Sequence, residues 1–267
     1  MNGPVITLLT DFGTRDGYVA AMKGVLLGRA PGATVVDAAH DIPPHDVAAA
    51  AWTLGQYWRC FPPGTIHVAV VDPGVGTERA VLLVEADSHL FLAPDNGLLT
   101  WVLRQARRVA LRRLKEEVHG ETVSATFHGR DIFAHAAGLL ASGRASVEDL
   151  GEDIREMVMP AWASVERVGE GLRGLIVHVD RFGNLITNIQ RHQALESVGA
   201  AFVASAGAFS GIPARRTYGE ARPGELIALF GSSDTIELAV NGGSAAERTG
   251  LARGQSVDLL PSLKIEG

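Results

Sequence analysis

Cysteine is almost absent: Cys60 is the single one in 267 residues. No intrachain disulfide and no thiolate metal cluster can therefore form, and beside Trp58 and Phe61 the residue reads as a small hydrophobe. An excess of basic charge is also missing. The 24 Lys and Arg face 30 Asp and Glu, a net charge of −6. Nucleic acid is thus a poor main partner, because phosphate binding needs a basic surface. No apolar run approaches the ~18 residues of a membrane span. Nothing before Asp11 resembles a signal peptide, so a soluble cytoplasmic protein is expected. Hydrophobic residues at 46% and charged residues at 20% exclude a disordered chain.

Several nucleotide and hydrolase motifs are missing too. There is no Walker A string, no GxSxG elbow and no HExxH. A GxGxxG spacing occurs at Gly169, Gly171 and Gly174. It precedes a strand pattern instead of following one, so it reads as a linker and not as a dinucleotide loop.

What is present is an alternation of strand and helix. Val5–Thr10, Ala33–Asp37 and Ile66–Val71 read as strands, the last an unbroken apolar run suited to a sheet covered on both faces. Gly17–Ala30, Asp46–Trp58, Leu98–Arg107 and Arg130–Ser142 carry helical spacing. Ala80–Glu85 and His89–Ala93 flank a tight turn at Asp87-Ser88. The pattern predicts a Rossmann-like α/β domain over residues 1–160 with a mostly parallel sheet. A polar, glycine-rich linker at 161–173 follows. Residues 174–267 read as a smaller β-rich, barrel-like domain with strands at Leu175–Val179, Leu185–Ile189, Ala201–Ala204, Leu226–Phe230 and Thr235–Val240.

Four strand ends carry an aspartate before a Gly- or Pro-containing turn: Asp11, Asp72, Asp95 and Asp180. Ligands of open α/β sheets bind at the carboxyl ends of strands. Aspartates there accept hydrogen bonds from hydroxyls or ammonium groups, or ligate metal; each can equally cap its own turn. His128, in Phe127-His128-Gly129-Arg130-Asp131, is the candidate catalytic imidazole, with a structural histidine as the competing reading. The cluster from His40 to Asp46 lacks zinc-site spacing, and Asp46 fits a helix N-cap. A structural role is expected there.

These strings together resemble the S-adenosyl-L-methionine (SAM) hydroxide adenosyltransferases, relatives of the SAM-dependent halogenases. The matching segments are Leu9-Thr10-Asp11-Phe12-Gly13 with Asp16-Gly17-Tyr18-Val19; Val71-Asp72-Pro73-Gly74 with Arg79; Pro94-Asp95-Asn96-Gly97; Phe127-His128-Gly129-Arg130-Asp131; Asp180-Arg181-Phe182-Gly183-Asn184; and Ser232-Ser233 with Asn241-Gly242-Gly243. The resemblance implies hydrolysis of SAM to adenosine and L-methionine by attack of water at the ribose C5′. It implies an Asp72, Arg79 and His128 set that activates the water. Asp11 is then expected on the ribose hydroxyls, Asp16 and Asp180 on the methionine ammonium, and Ser232 and Ser233 on its carboxylate. Asn184, with Asn241 and Gly242, is expected near the adenine edge. Phe182 and Tyr218 would supply stacking surface, and Trp52 would wall the pocket or pack in the core. The resemblance also implies a homotrimer with sites between subunits, and no metal or other cofactor. The short turn between Glu85 and His89 and the histidine at 128 separate the chain from the halogenases, which carry an insertion there and lack that histidine. Two other readings are a SAM- or adenosine-binding module without turnover and a metal-dependent hydrolase.

Overall fold

The computed structural model describes residues 3–262, which form two compact units, one up to Pro160 and one from Ala161 onward. Among the described residues no helix is long and apolar enough to cross a membrane.

In the first unit, strands β1 (Val5–Thr10), β2 (Thr34–Ala39), β3 (Ile66–Val70) and β5 (His89–Pro94) run parallel. The antiparallel strands β4 (Val81–Ala86), β6 (Val109–Leu114) and β7 (Gly151–Asp153) extend the sheet to the order β2-β1-β3-β5-β4-β6-β7. Strand β3 lies in the interior of the sheet, and all five of its residues are buried. Its side chains alternate between faces, as strand geometry requires. Val68 and Val70 join α1 (Tyr18–Arg29) and α4 (His135–Ala141) in one core. Ala69 and Val71 join α2 (Val47–Tyr57) and α3 (Thr100–Gln105) in another. A short helix, α5 (Val147–Leu150), is closed by a capping box of Ser146 and Asp149 and leads into β7.

The helix expected over 130–142 is helical to Ala141, but its first part, Gly129–Ala134, is a π-helical turn. Such turns often mark functional sites. Strand β6 had no apolar alternation to announce it, because Arg112 and Arg113 occupy its centre and pair with Glu85 and Glu152. Cys60 closes a 3₁₀ turn after α2 and is exposed, which corrects its reading as a packed hydrophobe.

The second unit is antiparallel. It contains β8 (Glu166–Val168), β9 (Gly171–Val179), β10 (Leu185–Gln190), α6 (Arg191–Val198), β11 (Phe202–Ala206), β12 (Phe209–Pro213), β13 (Leu226–Phe230), β14 (Thr235–Val240), α7 (Ala245–Thr249) and β15 (Ser256–Pro261). The order is β12-β11-β15-β9-β10-β14-β13, and an Ala214–Ala228 bridge brings the two ends together into a nearly closed barrel. Ile176, Leu185, Ile236, Leu238, Val257 and Leu259 fill its core.

Much of the segment read as a linker is paired: β8 folds onto the start of β9 across a turn at Gly169. All three β8 residues are exposed, so no hydrophobic pattern marked the strand. The glycines at 171 and 174 serve packing. A Cβ at Gly171 would sit 2.2 Å from the Leu259 carbonyl oxygen, and one at Gly174 would sit 2.4 Å from the Asn188 side chain.

Candidate active site

Strands β1 and β3 are neighbours, but the chain leaves β1 for β2 on one side before returning to β3 on the other. That reversal opens a crevice at the carboxyl ends of the two strands, where open α/β sheets bind ligands. A cavity of about 300 Å³ lies there, lined by Asp11 after β1, Asp72 after β3, and His128.

Asp72 and Arg79 belong to one compact turn. Val75 N–H donates to the Asp72 carbonyl at 3.2 Å, and Thr77 Oγ1 donates to the Gly74 carbonyl at 2.7 Å. The turn folds Arg79 back onto Asp72, and Nε lies 2.9 and 2.8 Å from the two carboxylate oxygens. The Nη2 group also donates to Asp72 Oδ2. Gly76, at φ +77°, lets the next wall approach: a Cβ there would fall 2.4 Å from the Ala125 carbonyl oxygen. The segment from Ser124 to His128 can therefore pack on the turn. It is anchored by Asp131, which accepts from Ser124 N–H at 2.8 Å and is clasped by Arg130. The Arg130 guanidinium holds the Asp131 carboxyl below the usual carboxylate range.

Across this junction Arg79 Nη2 donates to His128 Nδ1 at 3.0 Å. A guanidinium can only donate, so Nδ1 must offer its lone pair. Burial lowers the His128 pKa, and the Arg79 charge lowers it further, against partial opposition from Asp72 and Asp131. The neutral ring therefore carries its proton on Nε2. The Asp72 and Arg79 side chains are only 5% and 11% exposed, so their charges act on each other with little screening by solvent.

Asp11 is held from the other side. Its Oδ2 accepts the His45 N–H at 2.8 Å. His45 adopts φ +66°, a costly conformation for a residue with a Cβ, and also lines the cavity. Behind it, Lys23 Nζ bonds Asp37 at 2.6 Å, and His40 joins Asp37 and Thr10 at 2.8 and 2.9 Å. Burial would raise the Asp37 carboxyl, but Lys23 and His40 outweigh it and hold the group below its ordinary value. Asp46 caps α2 by accepting from Ala49 N–H. The His40–Asp46 segment thus braces Asp11 and caps α2, and it also supplies Pro44 and His45 to the cavity wall. Among the described residues no three His, Cys, Asp or Glu are grouped to hold a metal.

Phe12, Tyr18 and Phe127 form an aromatic wall, with Tyr18 and Phe127 centroids 5.1 Å apart and edge-on. No site role was expected for these three or for His45, although Phe12, Tyr18 and Phe127 stand within the segments that carry the resemblance and His45 within the His40–Asp46 cluster. Asp16 is exposed in the loop before α1 and does not line the cavity. Trp52 is buried and packs edge-on against Trp101 at 5.1 Å, also away from the cavity. Asp95 accepts from Val158 N–H at 2.8 Å and ties down the end of the unit.

In the second unit Asp180 organises its own loop. It accepts from Phe182 N–H at 2.8 Å, Asn184 N–H at 2.9 Å and Asn184 Nδ2 at 2.9 Å. The loop leaves Phe182 76% exposed. Tyr218 donates to buried Glu237, whose carboxyl is pushed up by burial and by the nearby Asp180 charge. Glu237 was another unforeseen residue; its signal was a lone charge within the apolar run of β14. Ser232 and Ser233 lie in the β13–β14 turn. Asn241 Nδ2 donates to the Ala221 carbonyl at 2.7 Å, and Gly242 takes φ +74° beside it.

Known proteins resemble the chain in sequence and in fold. Residues 6–151 match the SAM hydroxide adenosyltransferase N-terminal domain, and residues 174–258 match the corresponding C-terminal domain. An (R)-S-adenosyl-L-methionine hydrolase of Thermus thermophilus is 41% identical, over 96% of this chain and 99% of that protein. One from Salinispora tropica is 36% identical, over 94% and 95%. A crystal structure of a conserved protein from Thermotoga maritima superposes with a TM-score of 0.83 at 30% identity, covering 96% of this chain and 99% of that one. With both domain types matched in order along nearly its whole length, the chain belongs to the SAM hydroxide adenosyltransferase family.

Proposed function

We propose that the protein hydrolyses SAM to adenosine and L-methionine, and that Asp72, Arg79 and His128 handle the attacking water. The observation that carries this reading is the single guanidinium that grips Asp72 and His128 together where both line the β1/β3 cavity.

The chemistry asks little of the leaving group. Water oxygen forms a bond to C5′, the C5′–S bond breaks, and its electron pair stays on sulfur. The sulfonium becomes a neutral thioether, so no general acid is needed. The remaining proton must leave the new oxygen, which grows strongly acidic as the C–O bond forms. His128 is a poor acceptor in this geometry, because Arg79 occupies its Nδ1 lone pair and Nε2 is protonated. Asp72 is the acceptor: each carboxylate oxygen has two lone-pair sites, and Oδ1 receives only Arg79 Nε within the protein. His128 Nε2–H donates to and orients the water, and Arg79 stabilises the developing hydroxide. General-base help of this kind is worth about 10²–10⁴-fold.

Substrate placement extends the proposal. Asp11 takes the ribose hydroxyls, Asp16 and Asp180 the methionine ammonium, and Ser232 and Ser233 its carboxylate. Asn184, Asn241 and Gly242 meet the adenine, with Phe182 and Tyr218 as stacking surface. The second-unit residues act in a homotrimer, on the cavity of a neighbouring copy. The reaction needs no metal or cofactor and takes place in the cytoplasm.

Incubation of metal-free protein with SAM in ¹⁸O-labelled water tests the reading. Adenosine labelled at the 5′ oxygen, with methionine, supports it. SAM recovered intact on the protein would assign a binding module instead.

A further inference from the structure

Arg79 has five N–H donors, and the protein uses only part of them. Nε and Nη2 serve Asp72 and His128. The two N–H groups of Nη1 meet no acceptor among the described residues, although the side chain is only 11% exposed. Nη1 is not among the buried atoms left without a partner, so it is open to solvent and water completes its hydrogen bonding. The place for that water is a second cavity of about 250 Å³, lined by Arg79, His128, Thr77, Glu78, Glu116 and Val118 among others. Thr77, Glu78 and Glu116 are exposed, so its rim meets solvent. His128 lines both this cavity and the one at the β1/β3 crevice, and is the one residue that the two have in common.

We infer that the second cavity is the water port of the site. It holds solvent on the Nη1 edge of Arg79 and delivers it past His128 to the position of attack. The inference rests on the hydrolase reading and adds a route to it. SAM is large relative to a 300 Å³ crevice and fills the front approach when bound. The nucleophile is solvent itself, so it can be replenished from behind while the substrate stays in place. The same path returns the proton to bulk water once Asp72 has taken it. Polar residues at the rim and Arg79 in the wall suit a hydrated passage.

Two plugs test the port without touching Asp72, Arg79 or His128. Val118→Trp fills the cavity from a half-buried wall, and Glu116→Trp covers it from the exposed rim. The complex with SAM is formed in ordinary water, mixed rapidly into ¹⁸O-water and quenched after one turnover. In the wild type the 5′ oxygen should carry the label of the new solvent. In the plugged variants turnover should fall several-fold, with unchanged Kd for SAM, and the unlabelled fraction of adenosine should rise. Wild-type turnover and labelling in both folded variants would overturn the port. If Val118→Trp does not fold, Glu116→Trp decides alone. If the wild type forms no adenosine, the hydrolase reading itself falls, a failure separate from that of the port.

Discussion

Thr10 Oγ1 lies 2.9 Å from His40 Nδ1, and this buried contact joins the end of β1 to the segment that holds Asp11. Gly13 N–H donates to the His40 carbonyl at 2.8 Å, so backbone and side chain of one histidine brace both ends of the Asp11 turn. Losing a buried hydrogen-bond partner costs about 1–3 kcal/mol. His40→Ala should therefore lower the urea midpoint. It should also raise KM for SAM more than it lowers kcat, because it loosens Asp11, the carboxylate proposed for the ribose, and leaves Asp72 in place. Steady-state kinetics with a parallel denaturation curve check both.

His128 must be neutral to accept from Arg79. Its pKa lies below the ordinary 6.5, because burial and Arg79 oppose the charged form. Protonation breaks the contact, so activity is retained above that pKa and lost as pH falls through it. The acid limb of kcat/KM should thus lie below pH 6.5. Asp72→Asn removes a charge that supports the imidazolium, so NMR titration should find His128 lower still. Turnover in that variant should fall by about 10²–10⁴-fold with little change in SAM affinity.

His45 is the strained point of the cavity wall. The left-handed conformation costs a residue with a Cβ about 1–2 kcal/mol relative to one without. His45→Gly should keep its N–H on Asp11 and hold or raise the melting temperature. His45→Val should lower it, since a β-branched side chain fits that conformation worst. Thermal melts of the pair decide this.

A separate group contributes to the pH dependence of stability in the first unit. His67 Nδ1 bonds Thr7 at 2.8 Å, Nε2 faces His89 at 3.2 Å, and the ring stacks on Phe91. Burial, with the His89 charge adding to it, lowers the His67 pKa to about 3. The unfolded chain then binds a proton below pH 6.5 that the folded chain refuses. Stability should fall as pH drops from 6.5 toward 3, by up to about 1.4 kcal/mol per unit from this residue. His67→Asn, which cannot titrate, should show a shallower slope in chemical denaturation across pH.

The parallel strands and the helices on them were legible because both sheet faces are covered, so apolar runs such as Ile66–Val71 stand out. Strand-end aspartates likewise pointed to the crevice, and Asp11 and Asp72 line it. What escaped had physical reasons. β6 and β8 satisfy their backbones on polar or exposed strands, which leave no alternation to read. His45 contributes through a backbone N–H and a φ angle, and neither depends on residue type in a way that spacing reveals. Glu237 stood out only as a lone charge in an apolar strand, because spacing does not reveal its partner Tyr218, 19 residues away. Trp52, left open between pocket wall and core by the sequence, packs on the buried face of α2 against Trp101.

The clasp of Asp72 by Arg79 spans seven residues, whereas the reach from Arg79 to His128 spans 49. The first closes within one turn and loses little chain entropy, while the second closes a long loop. During folding the charged pair can therefore form as soon as β3 and its turn are laid down. The imidazole arrives only when the Ser124–Ala134 segment docks over Gly76. A chain arrested before that step holds a paired carboxylate and guanidinium but no oriented ring. The site is therefore complete only once the longer of these two loops has closed.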